Sequence, residues 1–208
     1  MKCLDLFSGT RSIANAFEKA GWEVYTVELD KRHERIDWYA DIMNVTAQDI
    51  IERFGHPNVI WASPPCEKFS VAAIGHYWNK GSTTPANEEA QKALDLLQHT
   101  INLIKELNPT YYYIENPRGM MRKMECMQSL PRYTVTYCQY GDRRQKPTDI
   151  WTNHPDPKFK PPCHPGDHCH EAAPRGSRTG TQGIKGAVER SRIPEALCNH
   201  IVEISTPF

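Results

Sequence analysis

The 208 residues suffice for one domain with a sizeable core and not for two, and 39 % hydrophobic with 24 % charged residues is the composition of a globular protein. No apolar run approaches the ~20 residues of a membrane span, and Asp5 stands where a signal peptide needs its apolar stretch, so a cytoplasmic monomer with no membrane partner is expected. Formal net charge is zero, which argues against a nucleic-acid partner, yet residues 1–117 carry −5, 118–192 carry +7 and 193–208 carry −2. A polyanion therefore suits the C-terminal half; the alternative is solvated surface charge.

In chain order, the apolar run Cys3–Ser8 predicts a strand that stops at Gly9. A helical pattern follows through Ile13, Ala14, Phe17 and Ala20 and ends at Gly21; Val24–Glu28 is the next strand. Further strands are expected at Val59–Ala62, Tyr111–Ile114, Thr134–Cys138 and Asp149–Trp151, and helices at 47–54, 87–107 and 194–204. Alternation of strands and helices predicts an α/β sheet, mostly parallel. The pattern fades at residue 154, and residues to about 192 are rich in Pro, Gly, His and Arg. The seven scattered cysteines predict reduced thiols rather than a disulfide framework.

Three clusters carry chemistry. Asp5-Leu6-Phe7-Ser8-Gly9-Thr10 forms a strand and turn whose backbone N–H groups can approach a ligand at a helix N-terminus. Glu28, 19 residues after Gly9, ends the second strand, where a carboxylate accepts from ribose hydroxyls in nucleoside-binding α/β folds. Acids at strand ends are common, so these residues alone leave a nucleoside-type cofactor and a plain structural acid equally open. Sharper is Ser63-Pro64-Pro65-Cys66, directly after Val59-Ile60-Trp61. Two prolines stiffen a loop above the sheet edge and present a cysteine there, a candidate nucleophile; the alternative is an inert loop cysteine. Glu115, in Tyr113-Ile114-Glu115-Asn116-Pro117, ends another strand and shares that crevice if the sheet is parallel, as an acid or a hydrogen-bonding group.

In this order and spacing, Asp5-Leu6-Phe7-Ser8-Gly9, Ser63-Pro64-Pro65-Cys66 and Glu115-Asn116-Pro117 resemble the DNA cytosine-C5 methyltransferase family. Tyr140–Lys146 is similar to the family's arginine-bearing segment that contacts the flipped base, and Ser191–Ile201 to its C-terminal helix, which returns to the cofactor. The resemblance implies a Rossmann-like methyltransferase fold using S-adenosylmethionine, double-stranded DNA as partner, and a small chain like phage-encoded members, located in the host cytoplasm. It implies a catalytic domain over 1–153, a short recognition insert over 154–190 and a returning C-terminal helix over 191–208. Cys66, Glu115, Arg144 and Pro65 become the catalytic set. Asp5, Leu6, Phe7, Ser8, Gly9, Thr10, Glu28, Leu29, Asp41, Ile42 and Pro64 become the cofactor set; without the resemblance Asp41 reads as a helix cap or turn.

The chain departs from the pattern in three places. Thr10-Arg11-Ser12 follows Gly9 where the family has a second glycine. The arginine segment is compressed, leaving Arg143, Arg144 and Lys146 as candidates to face the base. Residues 154–190 replace a large recognition domain. The implied chemistry is addition of Cys66 to cytosine C6, stabilised by Glu115, on a base flipped from the duplex.

Rival readings are an amino methyltransferase on adenine N6 or cytosine N4, whose Pro-Pro precedes an aromatic, an RNA cytosine methyltransferase, a non-catalytic DNA binder on this scaffold, and transfer of an altered one- or two-carbon group. Within the insert, two cysteines and four histidines crowd into residues 154–170. The residues leave two readings open: a solvated loop whose histidines meet phosphate, which carries the greater weight, or a zinc site of Cys163, Cys169, His170 and His154, with Gly166-Asp167 as the turn joining the thiols.

Overall fold

A computed structural model describes residues 1–164, 166–171 and 186–207. The elements are β1 (Lys2–Leu6), α1 (Ser12–Lys19), β2 (Glu23–Glu28), β3 (Trp38–Tyr39), α2 (Ala47–Arg53), β4 (Val59–Ala62), α3 (Ile74–Tyr77), α4 (Glu88–Leu107), β5 (Tyr111–Pro117), β6 (Arg132–Thr136), β7 (Pro147–Thr152), α5 (Ala187–Ser191) and α6 (Glu195–Ser205). Short 3₁₀ turns intervene, including Ile42–Asn44, Met120–Lys123 and Tyr137–Tyr140.

Seven strands form one sheet in the order β3-β2-β1-β4-β5-β7-β6. The first five are parallel, and β7 runs antiparallel between β5 and β6. The expected α/β class with a mostly parallel sheet is therefore correct. Side chains alternate between two buried faces, which a two-residue period requires. Leu4, Leu6, Ile60, Ala62 and Ile114 meet α4 residues such as Leu97, Ile101 and Ile104. Cys3, Val59, Trp61 and Tyr113 meet Phe17 of α1 and Leu197 and Ile201 of α6.

Local signals account for the helices. Asn87 caps α4 by accepting from Ala90 N, Glu88 and Glu89 face the positive end of its dipole, and Asn108 at φ 42° ends it. Thr46 and Asp49 form a capping box on α2. The expected strand Thr134–Cys138 is displaced: β6 is Arg132–Thr136, and Tyr137–Tyr140 is a 3₁₀ turn. Thr136 pairs with Pro147, which has no N–H for the ladder, so pairing stops there and the hairpin closes through Gly141 at φ 88°.

Among the described residues no helix is long and apolar enough to cross a membrane. Residue 165 and residues 172–185 of the expected insert lie outside the described residues.

Candidate active site

The carboxyl ends of the parallel strands assemble the clusters at one edge. β1 and β4 align Leu6 with Ala62, and β4 and β5 align Ala62 with Ile114. One step further lie Phe7, Ser63 and Glu115, and the sheet thus brings the cysteine loop and the Glu115 strand together. Ser63 N donates to Leu6 O at 3.2 Å, and the Trp61 indole donates to Ser63 Oγ at 2.8 Å; Trp61 itself is buried core.

Two contacts lock the cysteine loop to the segment after β5. Asn116 Nδ2 donates to Pro64 O at 2.8 Å, and Met120 N donates to Phe69 O at 2.6 Å. The second requires Gly119, because a Cβ there would stand 2.2 Å from Phe69 O. Pro64 is buried, Pro65 exposed and Cys66 intermediate. Burial pushes the Cys66 thiol up, the charge of Glu115 pushes it further, and Lys146 opposes both.

Glu115 is buried, and Tyr137, wholly buried at the start of the turn after β6, donates its hydroxyl to Glu115 Oε1 at 3.0 Å. Lys146 Nζ stands 4.4 Å from the centre of the Tyr137 ring. Burial lowers the Lys146 ammonium against the pull of Glu115 and Cys66. Among the three expected cations, Lys146 is the one whose charge bears on Cys66. Arg144 is buried with its fork on Asp142 and on Arg190 O, and Arg143 pairs with Glu171 at 4.0 Å.

The expected cofactor residues share the same sheet edge. Gly9 N donates to Glu28 Oε2 at 2.9 Å, and Leu29 N and Asp30 N donate to Oε1. Oε2 keeps acceptor capacity. β3 aligns Tyr39 with Glu28, which carries Asp41 to the same edge, where Oδ1 caps Met43 N at 3.0 Å above buried Ile42. Leu29, directly after Glu28 at this edge, is 64 % exposed. Two carboxylates and an uncovered apolar side chain along one edge fit a nucleoside, whose hydroxyls and amine donate and whose ring is apolar on its faces. Ser8 Oγ donates to Asp5 Oδ2 at 2.8 Å; burial raises the Asp5 carboxyl to about 7. Ile193 N donates to Ser12 Oγ, which ties the segment before α6 to the first turn of α1.

Arg11, within the Thr10-Arg11-Ser12 stretch that departs from the resembled pattern, holds the left-handed backbone a glycine favours, at φ 57°. Its buried guanidinium turns into the fold, donating to Thr26 Oγ1 and Arg35 O and pairing with Glu18. Spacing alone gave no role to Arg11, Tyr137, Asn116 or Gly119, because each acts through a tertiary contact. A concavity of about 870 Å³ opens between Thr10, Asp142, Arg192 and Asn199, and touches neither Cys66 nor Glu28.

In the insert, Cys163, Cys169 and His170 lie close together, and His154, grouped with them from the sequence, stands apart. Its Nε2 meets Ile204 O at 3.0 Å and its ring packs against Tyr111, past the last residue of β7, whereas Cys138 lies in the turn that precedes the first. Cys138 takes the fourth corner.

Residues 1–130 match the model of the C-5 cytosine-specific DNA methylase family. A protein of frog virus 3 named "Probable DNA (cytosine-5)-methyltransferase" is 31 % identical, over 98 % of this chain and 100 % of its own length. Among solved structures, a prophage-encoded Escherichia coli protein described as a DNA modification methyltransferase has a TM-score of 0.55 at 20 % identity, and S. pombe Dnmt2 methyltransferase 0.51 at 15 %. Each is matched by 73 % of this chain over 46 % and 48 % of its length, so the chain spans about half of these relatives and shares their fold. With both motif loops locked at one sheet edge and a viral relative matched end to end, the chain belongs to the C-5 cytosine-specific DNA methylase family.

Proposed function

We propose that this protein methylates C5 of cytosine in double-stranded DNA, with Cys66 as the covalent nucleophile and S-adenosylmethionine as methyl donor. The observation that carries the reading is the joining of the Cys66 loop to the Glu115 strand by Asn116 and Gly119. C5 of cytosine is a poor nucleophile. Bond formation between Cys66 Sγ and C6 moves electron density to C5, and a carboxyl group on N3 and the exocyclic amine stabilises the charge left on the ring. Glu115 supplies that group, with Tyr137 holding its Oε1. Lys146 favours the thiolate of Cys66. After methyl gain, transfer of the C5 proton to solvent water re-forms the C5–C6 double bond and expels Cys66 as thiolate.

S-adenosylmethionine supplies the electrophilic methyl when bound. Asp5, Leu6, Phe7, Ser8, Gly9 and Thr10 would hold its amino-acid portion, and Glu28, Leu29, Asp41, Ile42 and Pro64 its nucleoside. The target base must leave the duplex, at a cost of a few kcal/mol. The +7 of residues 118–192 favours the phosphates around it.

A duplex carrying 5-fluorocytosine tests the reading, because fluorine blocks loss from C5. With the methyl donor present, a denaturant-stable adduct is expected with the native chain and none with Cys66→Ser. Mass spectrometry of unmodified DNA should then show 5-methylcytosine. A mark on N4 of cytosine or N6 of adenine, or DNA binding without an adduct, would refute it.

A further inference from the structure

Residues 154–171 have few apolar side chains, Phe159 and Cys163 among them, so burial cannot order the segment by itself. It nevertheless lies against the turn after β6. Lys160 N donates to Tyr140 Oη at 2.9 Å, Cys163 N to Thr136 Oγ1 at 3.0 Å, and Glu171 N to Arg143 O at 2.9 Å. Gly166 at φ 96° and the paired bonds between His164 and Asp167 reverse the chain, which returns Cys169 to Cys163.

Four ligand atoms converge there from two distant stretches. Cys138 Sγ is 3.1 Å from Cys163 Sγ and 3.6 Å from Cys169 Sγ; His170 Nδ1 is 3.6 Å from both Cys163 Sγ and Cys169 Sγ. All four lie within 4.8 Å of one another. A tetrahedral zinc site with Zn–S of about 2.3 Å and Zn–N of about 2.05 Å has S···S edges near ~3.8 Å and S···N edges near ~3.6 Å. The cysteines are free, so the short Cys138–Cys163 separation is not a disulfide. Two amides point at the sulfurs: Gln145 Nε2 at 3.4 Å from Cys163 and Gln139 Nε2 at 3.5 Å from Cys169. N–H groups aimed at sulfur are the outer contacts that steady thiolate ligands.

We propose that Cys138, Cys163, Cys169 and His170 bind one structural zinc ion that clamps the insert to the loop carrying Tyr137 and Lys146. Three thiolates and an imidazole select zinc over hard cations, and four protein ligands close the site to water and substrate. Cys138 follows Tyr137 directly, and Gln145 precedes Lys146. The ion thus fixes both ends of the loop beside Glu115 and Cys66. The metal claim does not depend on the methyl-transfer reading, since metal content is read without turnover; only the effect on the Glu115 side rests on it.

The full chain, purified without a histidine tag or chelator, should carry about one zinc per chain by mass spectrometric metal analysis. X-ray absorption should show three sulfur neighbours and one nitrogen. Cys138→Ser and Cys163→Ser should fall below ~0.2 zinc per chain, and His154→Ala should keep its zinc. Should the serine variants fail to fold, zinc withdrawal from native protein by a strong chelator should raise hydrogen exchange over residues 137–146 and 160–171 and leave β1 and β4 unchanged. Less than ~0.2 zinc in native protein, both as purified and after equimolar zinc with reduced thiols, would overturn the proposal. So would a Cys138–Cys163 disulfide in the purified chain, or zinc that follows His154 instead of Cys138.

Discussion

Tyr137 Oη donates to Glu115 Oε1 at 3.0 Å from a wholly buried position, so the carboxyl group in the C-terminal half of β5 is oriented by the first residue after β6. The strands that carry them are not neighbours: β7 lies between. Tyr137 reaches across because it leaves the ladder at Thr136 and its backbone N bonds Gln145 O at 2.9 Å.

Tyr137→Phe should therefore lower kcat with little change in KM for DNA. A hydrogen bond to a charged group is worth about 1.5–3 kcal/mol, which is roughly 10- to 100-fold in rate. Steady-state kinetics at several pH values check this. Unchanged kcat, with an unchanged pH profile, would make the contact purely structural.

The reactivity of Cys66 should respond to both charged neighbours with opposite sign. Burial and Glu115 hold the thiol above its ordinary range, while Lys146 pulls it down. Glu115→Gln should speed alkylation of Cys66 by iodoacetamide at pH 7.5 by roughly threefold or more, and Lys146→Met should slow it by a similar factor. Peptide mapping isolates Cys66 from the other six cysteines. Equal rates in all three proteins would remove the electrostatic coupling.

Gly119→Ala should part the two motif loops. The added Cβ meets backbone oxygen of Phe69 at 2.2 Å, and no side chain can rotate away to relieve it. Overpacking of this kind costs about 1–3 kcal/mol. A lowered melting temperature together with slower adduct formation on 5-fluorocytosine DNA is expected. A native melting temperature would show that the loops yield freely.

Asp5 should make stability fall as pH rises. Its folded carboxyl titrates near 7, above the ordinary 3.8, mainly because it is buried. The folded chain then holds a proton that the unfolded chain releases. That contribution is complete below about pH 4 and is lost as pH climbs through about 7. Asp5→Asn stays neutral and keeps an acceptor for Ser8 Oγ, so its stability should lack this slope. Melting curves for both proteins between pH 4 and 8 should diverge up to pH 7 and run parallel above it. Parallel curves throughout would mean that Asp5 keeps its ordinary carboxylate titration.

The α/β class, the first β-α-β unit, the long helix and the two motif loops were legible in the chain alone, since each rests on a local signal. Those signals were periodicity, a glycine at a turn, or the stiffness of Pro64-Pro65. Cys66 and Glu115 were legible because parallel strands deliver their carboxyl ends to one edge, whatever the details of packing. Tertiary structure alone decided the rest. Arg11 reads as a departure from the resembled pattern until its guanidinium is seen between β2 and α1. Lys146 stands out among three cations only once Arg144 has turned to Asp142. Cys138, one of seven scattered cysteines in the sequence, joins Cys163 across 25 residues, while His154, nearer in sequence to Cys163, is drawn to Ile204. Spacing along the chain sets which groups can meet within a turn. Which groups meet across the sheet depends on where a ladder ends and on what each buried polar atom finds as a partner.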